Sequence, residues 1–169
     1  ADSAVSVTDS SVAGSMNSWY FTSALRSPFT VVDSTISNTH ASSPAITVNN
    51  AVDFSPLSFT RSTVWAQGAG TANALSFAQA VTDSALSGID STFRTDAPSG
   101  QADAIRFGSA VVNSAITITN AVLTAEWVAV HAMPGPSTNS PITLDTVTAS
   151  ARFVLGIYAA AASPLVITD

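Results

Sequence analysis

The chain has no cysteine, no lysine and a single glutamate, Glu126, among 169 residues. Without cysteine there is no disulfide frame, no thiolate zinc site and no thiol nucleophile. Five scattered arginines stand against ten aspartates and Glu126, for a formal charge of -6. An electrostatic grip on nucleic acid needs basic clusters, and none is present. Charged residues make up 9% of the chain, where an ordinary soluble domain carries about 25%. No apolar run reaches the roughly 18 residues of a membrane helix. Aromatic residues are 8% and do not gather at strand ends as the girdles of an outer-membrane barrel do. Asn-x-Ser/Thr glycosylation sites are also missing. The opening Ala1-Asp2-Ser3 shows neither the basic region nor the apolar core of a leader peptide. The expectation is that a start Met or an already cleaved leader preceded Ala1.

What is abundant is small and hydroxylated. Ala, Ser and Thr supply 75 of the 169 residues, and the mean hydropathy is positive, +0.35. A lone soluble domain hydrates its surface with charges over about a quarter to a third of its positions. Here sixteen formal charges serve the whole domain. Serine and threonine hydroxyls hydrate a surface and also bond across contacts without the desolvation cost of ions. This composition suits close packing against copies of the same chain, so an obligate homo-oligomer is expected.

The organisation reads as a small polar arm, residues 1–16, followed by a single domain, residues 17–169. In the arm, Val5 and Val7 alternate with polar residues and suit strand addition to a neighbour. The domain carries many short strand signals. Phe29 to Ile36 is rich in β-branched residues, Ile46 and Val48 start another strand, and Thr60 to Gln67 carries Trp65. Pro56 places its segment at an edge or bend. From Ile105 to Val130 the pattern is period two. Ile142 to Thr148 and Arg152 to Ala161 follow. Residues 72–93 read as the one helical insert, since Leu75, Ala78, Thr82, Ala85, Ile89 and Phe93 fall three or four apart, with Thr71 as the N-cap. Val31-Val32-Asp33-Ser34-Thr35-Ile36-Ser37 echoes Val111-Val112-Asn113-Ser114-Ala115-Ile116-Thr117. A second echo links the stretches from Ile46 and Ile116. They read as repeated strand grammar and not as a solenoid, because no fixed period recurs. Many strands, one helical insert and turn signals every 8–15 residues indicate an all-β antiparallel sandwich of the jelly-roll type. Val111, Ile118, Trp127, Phe153 and Leu155 are its expected core.

Chemistry is sparse. His40 and His131 are the only histidines, with no metal-ligand spacing, so no metal site and no cofactor are expected. No nucleophile elbow, phosphate cradle or dinucleotide motif occurs, and no enzyme activity is expected. His131 reads as a satisfied surface or interface histidine. Asp96 and Asp103 flank a Gly/Pro loop and read as solvated aspartates before a calcium pair. Glu126 beside Trp127 reads as a buried carboxylate that needs Arg106 or Arg152 as its partner. Trp19, Trp65 and Trp127 read as core residues, with a sugar-stacking platform as the alternative.

The strand Trp127-Val128-Ala129-Val130-His131-Ala132-Met133-Pro134 runs into a proline loop, and the chain closes Ala162-Ser163-Pro164-Leu165-Val166-Ile167-Thr168-Asp169. This resembles the end of tymovirus-type coat proteins, over about a quarter of the chain. The resemblance implies a jelly-roll capsid subunit in a virion, enclosing nucleic acid as cargo without a basic arm. Two other readings stay open: a secreted filament or surface-layer subunit that uses N-terminal strand addition, and a carbohydrate-binding or adhesion module. All three place the protein among binding or self-assembling modules, with itself as the main partner and no membrane.

Overall fold

The computed structural model describes residues 4–14, 19–21, 24–25, 27–40, 42–68, 70–97, 100–132, 137–157, 160–161 and 163–168. The chain winds through four parallel sheets in turn, and each circuit lays one rung on the rung before it. The first sheet has seven strands, in the order Val5–Thr8, Phe29–Val32, Leu57–Thr60, Leu86–Ile89, Ile116–Thr119, Ile142–Asp145 and Leu165–Thr168. The second has six: Ser11–Gly14, Thr35–Asn38, Thr63–Gln67, Thr92–Asp96, Val122–Thr124 and Thr148–Ser150. The third runs Trp19–Phe21, Ile46–Val48, Leu75–Phe77, Ile105–Phe107, Val128–Ala132 and Phe153–Ile157. The fourth is made of short strands: Ala24–Leu25, Val52–Asp53, Val81–Thr82, Val111–Val112, Ser137–Thr138 and Ala160–Ala161. Every pairing among the described residues is parallel and joins neighbouring rungs.

The molecule is therefore a parallel β-solenoid, which corrects the expected antiparallel jelly-roll sandwich. The all-β class holds; the antiparallel pairing, the two-sheet sandwich and the helical insert do not. No helix occurs among the described residues, and the stretch from 72 to 93 forms parts of four strands, one in each sheet.

Side chains alternate in and out along each strand, and equivalent positions stack. One inward column of the first sheet is Phe29, Leu57, Leu86, Ile116 and Ile142, all buried. Val31, Phe59, Ile118 and Leu144 form the next, with Gly88 between Phe59 and Ile118. A Cβ on Gly88 would lie 3.0 Å from Phe93 and 3.1 Å from Ile118, so glycine makes the room that Phe93 fills. The third sheet contributes Ile46, Leu75, Ile105 and Val130. Phe77 and Phe107 stack there face to face, 4.9 Å apart at 4°. Parallel stacking places each side chain over its counterpart, so the inward columns together form one continuous core.

The expected core is thereby partly corrected. Val111 and Ile118 are buried, whereas Trp127 and Leu155 are only half-buried and Phe153 is 50% exposed. The period-two stretch from Ile105 to Val130 holds four strands and the start of a fifth, separated by corners. The residues read as an arm include the first rungs of two sheets: Val5–Thr8 pairs with Phe29–Val32, and Ser11–Gly14 with Thr35–Asn38.

Candidate functional site

Two corners of each circuit are built alike. The residue just after a strand takes a left-handed backbone, and a serine commonly follows. Asp9, Asp33, Asp83, Asp90, Asn113, Asn120 and Asn139 all have φ between 47° and 51°. Asp and Asn tolerate this region because their short side chains bond locally. At Phe54, Arg61 and Thr146 the corner holds other residues in the same conformation. The serine then binds twice. Its Oγ donates to the carbonyl two residues back, as Ser84 does to Thr82 at 2.8 Å and Ser114 to Val112 at 2.7 Å. It also accepts the backbone N–H of the serine one rung earlier.

One ladder passes through Ser27, Ser55, Ser84, Ser114, Ser140 and Ser163, in steps of 28, 29, 30, 26 and 23 residues. The other joins Ser10, Ser34, Ser62 and Ser91 in steps of 24, 28 and 29. It stops where Ala121 takes the next place. These ladders satisfy backbone donors where the chain turns and strand pairing lapses.

The ends of the stack are different. Leu165 and Ile167 continue the inward columns of Ile142 and Leu144. They are nevertheless 46% and 60% exposed, and no further strand pairs with theirs among the described residues. Phe153 and Val154 are exposed at the same end. Beside them a cleft of about 390 Å³ is walled by Trp127, His131, Phe153 and Leu155. At the opposite end Val5, Trp19, Tyr20 and Phe21 line a smaller cleft of about 290 Å³. Trp19, Phe21 and Phe29 pack there with ring centroids 5.0–5.5 Å apart. The outer edges of Val5–Thr8 and Leu165–Thr168 are the two edges of the first sheet.

Comparison with family models, curated proteins and solved structures finds no match to this chain.

The residues singled out in the sequence are dispersed over the stack. His131 is buried against Asp103, with Nδ1 2.8 Å from Oδ2. Asp103 is more a corner bracket than a solvated loop residue. Its Oδ1 accepts the Val128 N–H at 3.2 Å, while its own N–H donates to Asn73 Oδ1 at 2.8 Å. Burial pushes its carboxyl above the usual range, opposed by the hydrogen bond and charge of His131 and by Arg106. Asp96 does not meet Asp103. It binds the Arg94 guanidinium and accepts the Trp65 indole N–H at 3.0 Å. No group of three metal-ligating side chains occurs among the described residues.

Glu126 is exposed and has no ion pair among the described residues, which corrects the expected buried pair with Arg106 or Arg152. Arg152 instead lies over the Trp127 ring at 5.0 Å, and Phe153 meets that ring edge-on. The three tryptophans sit on different rungs and form no shared platform: Trp19 packs at the first rung, Trp65 on the second sheet, and Trp127 near the last. His40 Nδ1 meets the Ser43 hydroxyl at 3.2 Å on the surface. The Met133–Pro136 loop lies outside the described residues.

Sequence reading missed the terminal strand Leu165–Thr168. A signal for it exists. Ser-Pro followed by apolar-x-apolar recurs at Ser27-Pro28-Phe29, Ser55-Pro56-Leu57, Ser140-Pro141-Ile142 and Ser163-Pro164-Leu165. Each time it opens a first-sheet strand.

Proposed function

We propose that this protein is a structural subunit that associates head to tail, the end of one solenoid seating on the beginning of the next. The observation that carries this reading is the exposed strand Leu165 to Thr168, which continues the core columns and has no strand paired to its outer edge among the described residues. An unpaired, flat, apolar edge strand is a template for another strand. The first rung of a second copy fits that template. Val5–Thr8 has the same four-residue length and the same parallel sense toward its neighbours. In register, Val5 would follow Leu165 and Val7 would follow Ile167, while Ser6 and Thr8 would follow Val166 and Thr168 on the outer face. Such a contact is heterologous and does not close on itself, so it propagates into a filament.

The low charge and the hydroxyl-rich surface support self-association, as they did for the sequence alone. The resemblance in the last quarter of the chain implies a shell of jelly rolls, and a parallel solenoid is not that fold. The filament reading uses, in the first sheet, the rung-on-rung contact already repeated inside the chain; the other three sheets have one strand fewer.

Light scattering and electron microscopy across a concentration series test the proposal. Concentration-dependent linear assemblies are expected. Ile167→Lys should abolish them and leave the circular dichroism unchanged, because the side chain is 60% exposed. A native chain that stays monomeric at high concentration overturns the reading.

A further inference from the structure

A groove of about 650 Å³ lies along the flank, where the second sheet turns toward the third. It crosses four successive rungs, from Gln67 through Asp96 and Thr124 to Ser150, so it spans three rung spacings, about 14 Å. Its volume falls in the range of small-ligand sites. On one side stands a fixed cluster of planar groups. Arg94 lies 5.9 Å over the Trp65 ring and binds the Asp96 carboxylate, and Trp65 donates its indole N–H to the same carboxylate. On the other side Glu126 is exposed, without an ion pair among the described residues, next to the hydroxyls of Thr124 and Ser150. Thr95 contributes to the lining. It is 3% exposed, and its Oγ1 has no hydrogen-bond partner.

We infer that this groove binds a short linear neutral oligosaccharide, laid along the stack. Carboxylates, an amide and hydroxyls converging on a groove offer acceptors and donors to a ligand that carries many hydroxyls of its own. Carboxylates make the stronger, charge-assisted bonds to such hydroxyls. The sign of the charge selects within that class. Glu126 lies in the groove and the chain carries a net -6, so acidic sugars and nucleic acid are repelled. The length, three rung spacings or about 14 Å, matches an extended chain of a few sugar rings and exceeds a single monosaccharide. The groove reaches Ser150 on the last strand of the second sheet, whereas the end-to-end contact proposed above is carried by Leu165–Thr168 of the first.

The test is calorimetric titration of the full chain with cellopentaose, laminaripentaose, xylopentaose, mannopentaose and chitopentaose, with pentagalacturonate as the acidic counterpart. At least one neutral pentamer is expected to bind at millimolar concentration or better, and pentagalacturonate is not. The double variant Glu126→Ala with Thr124→Ala should weaken binding at least about tenfold, the scale of one charge-assisted hydrogen bond. Thr82→Ala, on the fourth sheet, should leave it unchanged. Circular dichroism of each variant verifies the fold. No binding by any neutral pentamer, binding of the acidic pentamer alone, or affinity undiminished in the double variant overturns the assignment. Oligomeric state, measured in the same samples, reports on the end-to-end contact separately.

Discussion

Ser84 makes two bonds that an alanine cannot replace. Its hydroxyl accepts the buried N–H of Ser55 at 2.8 Å and donates to the Thr82 carbonyl. Ser84→Ala leaves the Ser55 donor buried without its acceptor, a loss of about 1–3 kcal/mol. Urea denaturation should show it as a lower midpoint with an unchanged slope. Asp103 is a different case, because its carboxylate is held against the preference of its surroundings. Its folded pKa is raised above the ordinary 3.8, with burial the largest cause. The sign follows from linkage. Below 3.8 the group is neutral in both states. As pH climbs toward the raised value the unfolded chain ionises first, and stability is lost across that window and flat beyond it. Asp103→Asn keeps an acceptor for the Val128 N–H and does not ionise. The variant's stability relative to the native chain should therefore rise across the same window, as read by denaturant melts in a pH series.

At the scale of the strand, the stacked Phe77 and Phe107 rings set the test of the core. Phe107→Ala should cost about 3–5 kcal/mol, since the ring is 1% exposed and its removal opens a cavity beside Phe77. Ile89→Thr, on the outward column between Thr60 and Thr119, should stay within about 0.5 kcal/mol. Thermal melts of the two variants measure both. These elements also show what was legible beforehand. Strand character was readable at Trp19, Phe29, Ile46, Ile116, Ile142 and Phe153, because β-branched and aromatic residues alternate there. The corners were not. At Asp33-Ser34 the chain turns between two sheets, yet Thr35 and Ile36 look like a continuation of the same strand. The false helix between 72 and 93 has the same origin. Strands of two to five residues, separated by corners, place inward residues such as Leu75, Val81, Leu86 and Phe93 at uneven intervals. Some of those intervals imitate a helical face. The repeat itself stayed hidden because its length drifts between 23 and 30 residues. A search anchored on Asp/Asn-Ser corners and Ser-Pro pairs would have found it. Pro28, Pro56, Pro141 and Pro164 look like breakers, but they occupy a corner where the carbonyl is the group used. Pro28, Pro56, Pro141 and Pro164 accept from Val5, Phe29, Ile116 and Ile142, respectively. Of the candidate sites, Asp96, Glu126 and Trp65 were each visible as chemistry-bearing residues, but their meeting on one flank follows from rung stacking, which no local pattern announces.

Over the whole molecule, each rung touches mainly the one before and the one after, so stability is close to a sum of rung and interface contributions. Rungs in the middle have neighbours on both sides, whereas the first and last have one among the described residues. Native-state hydrogen exchange should therefore be graded. The amides of Leu57–Thr60, Leu86–Ile89 and Ile116–Thr119 are expected to be the slowest, and those of Val5–Thr8 and Leu165–Thr168 the fastest. Uniform protection from end to end would contradict this picture of nearest-neighbour coupling. Head-to-tail association should raise protection at the two ends first. The serine ladders and the strand pairings share one further property: their hydrogen bonds point along the stack. A pull on Val5 and Thr168 thus loads them in series, one rung at a time, as a zipper is loaded. The molecule would yield to tension by paying out single circuits of chain while the untouched remainder stays stiff, which makes it an extensible tether.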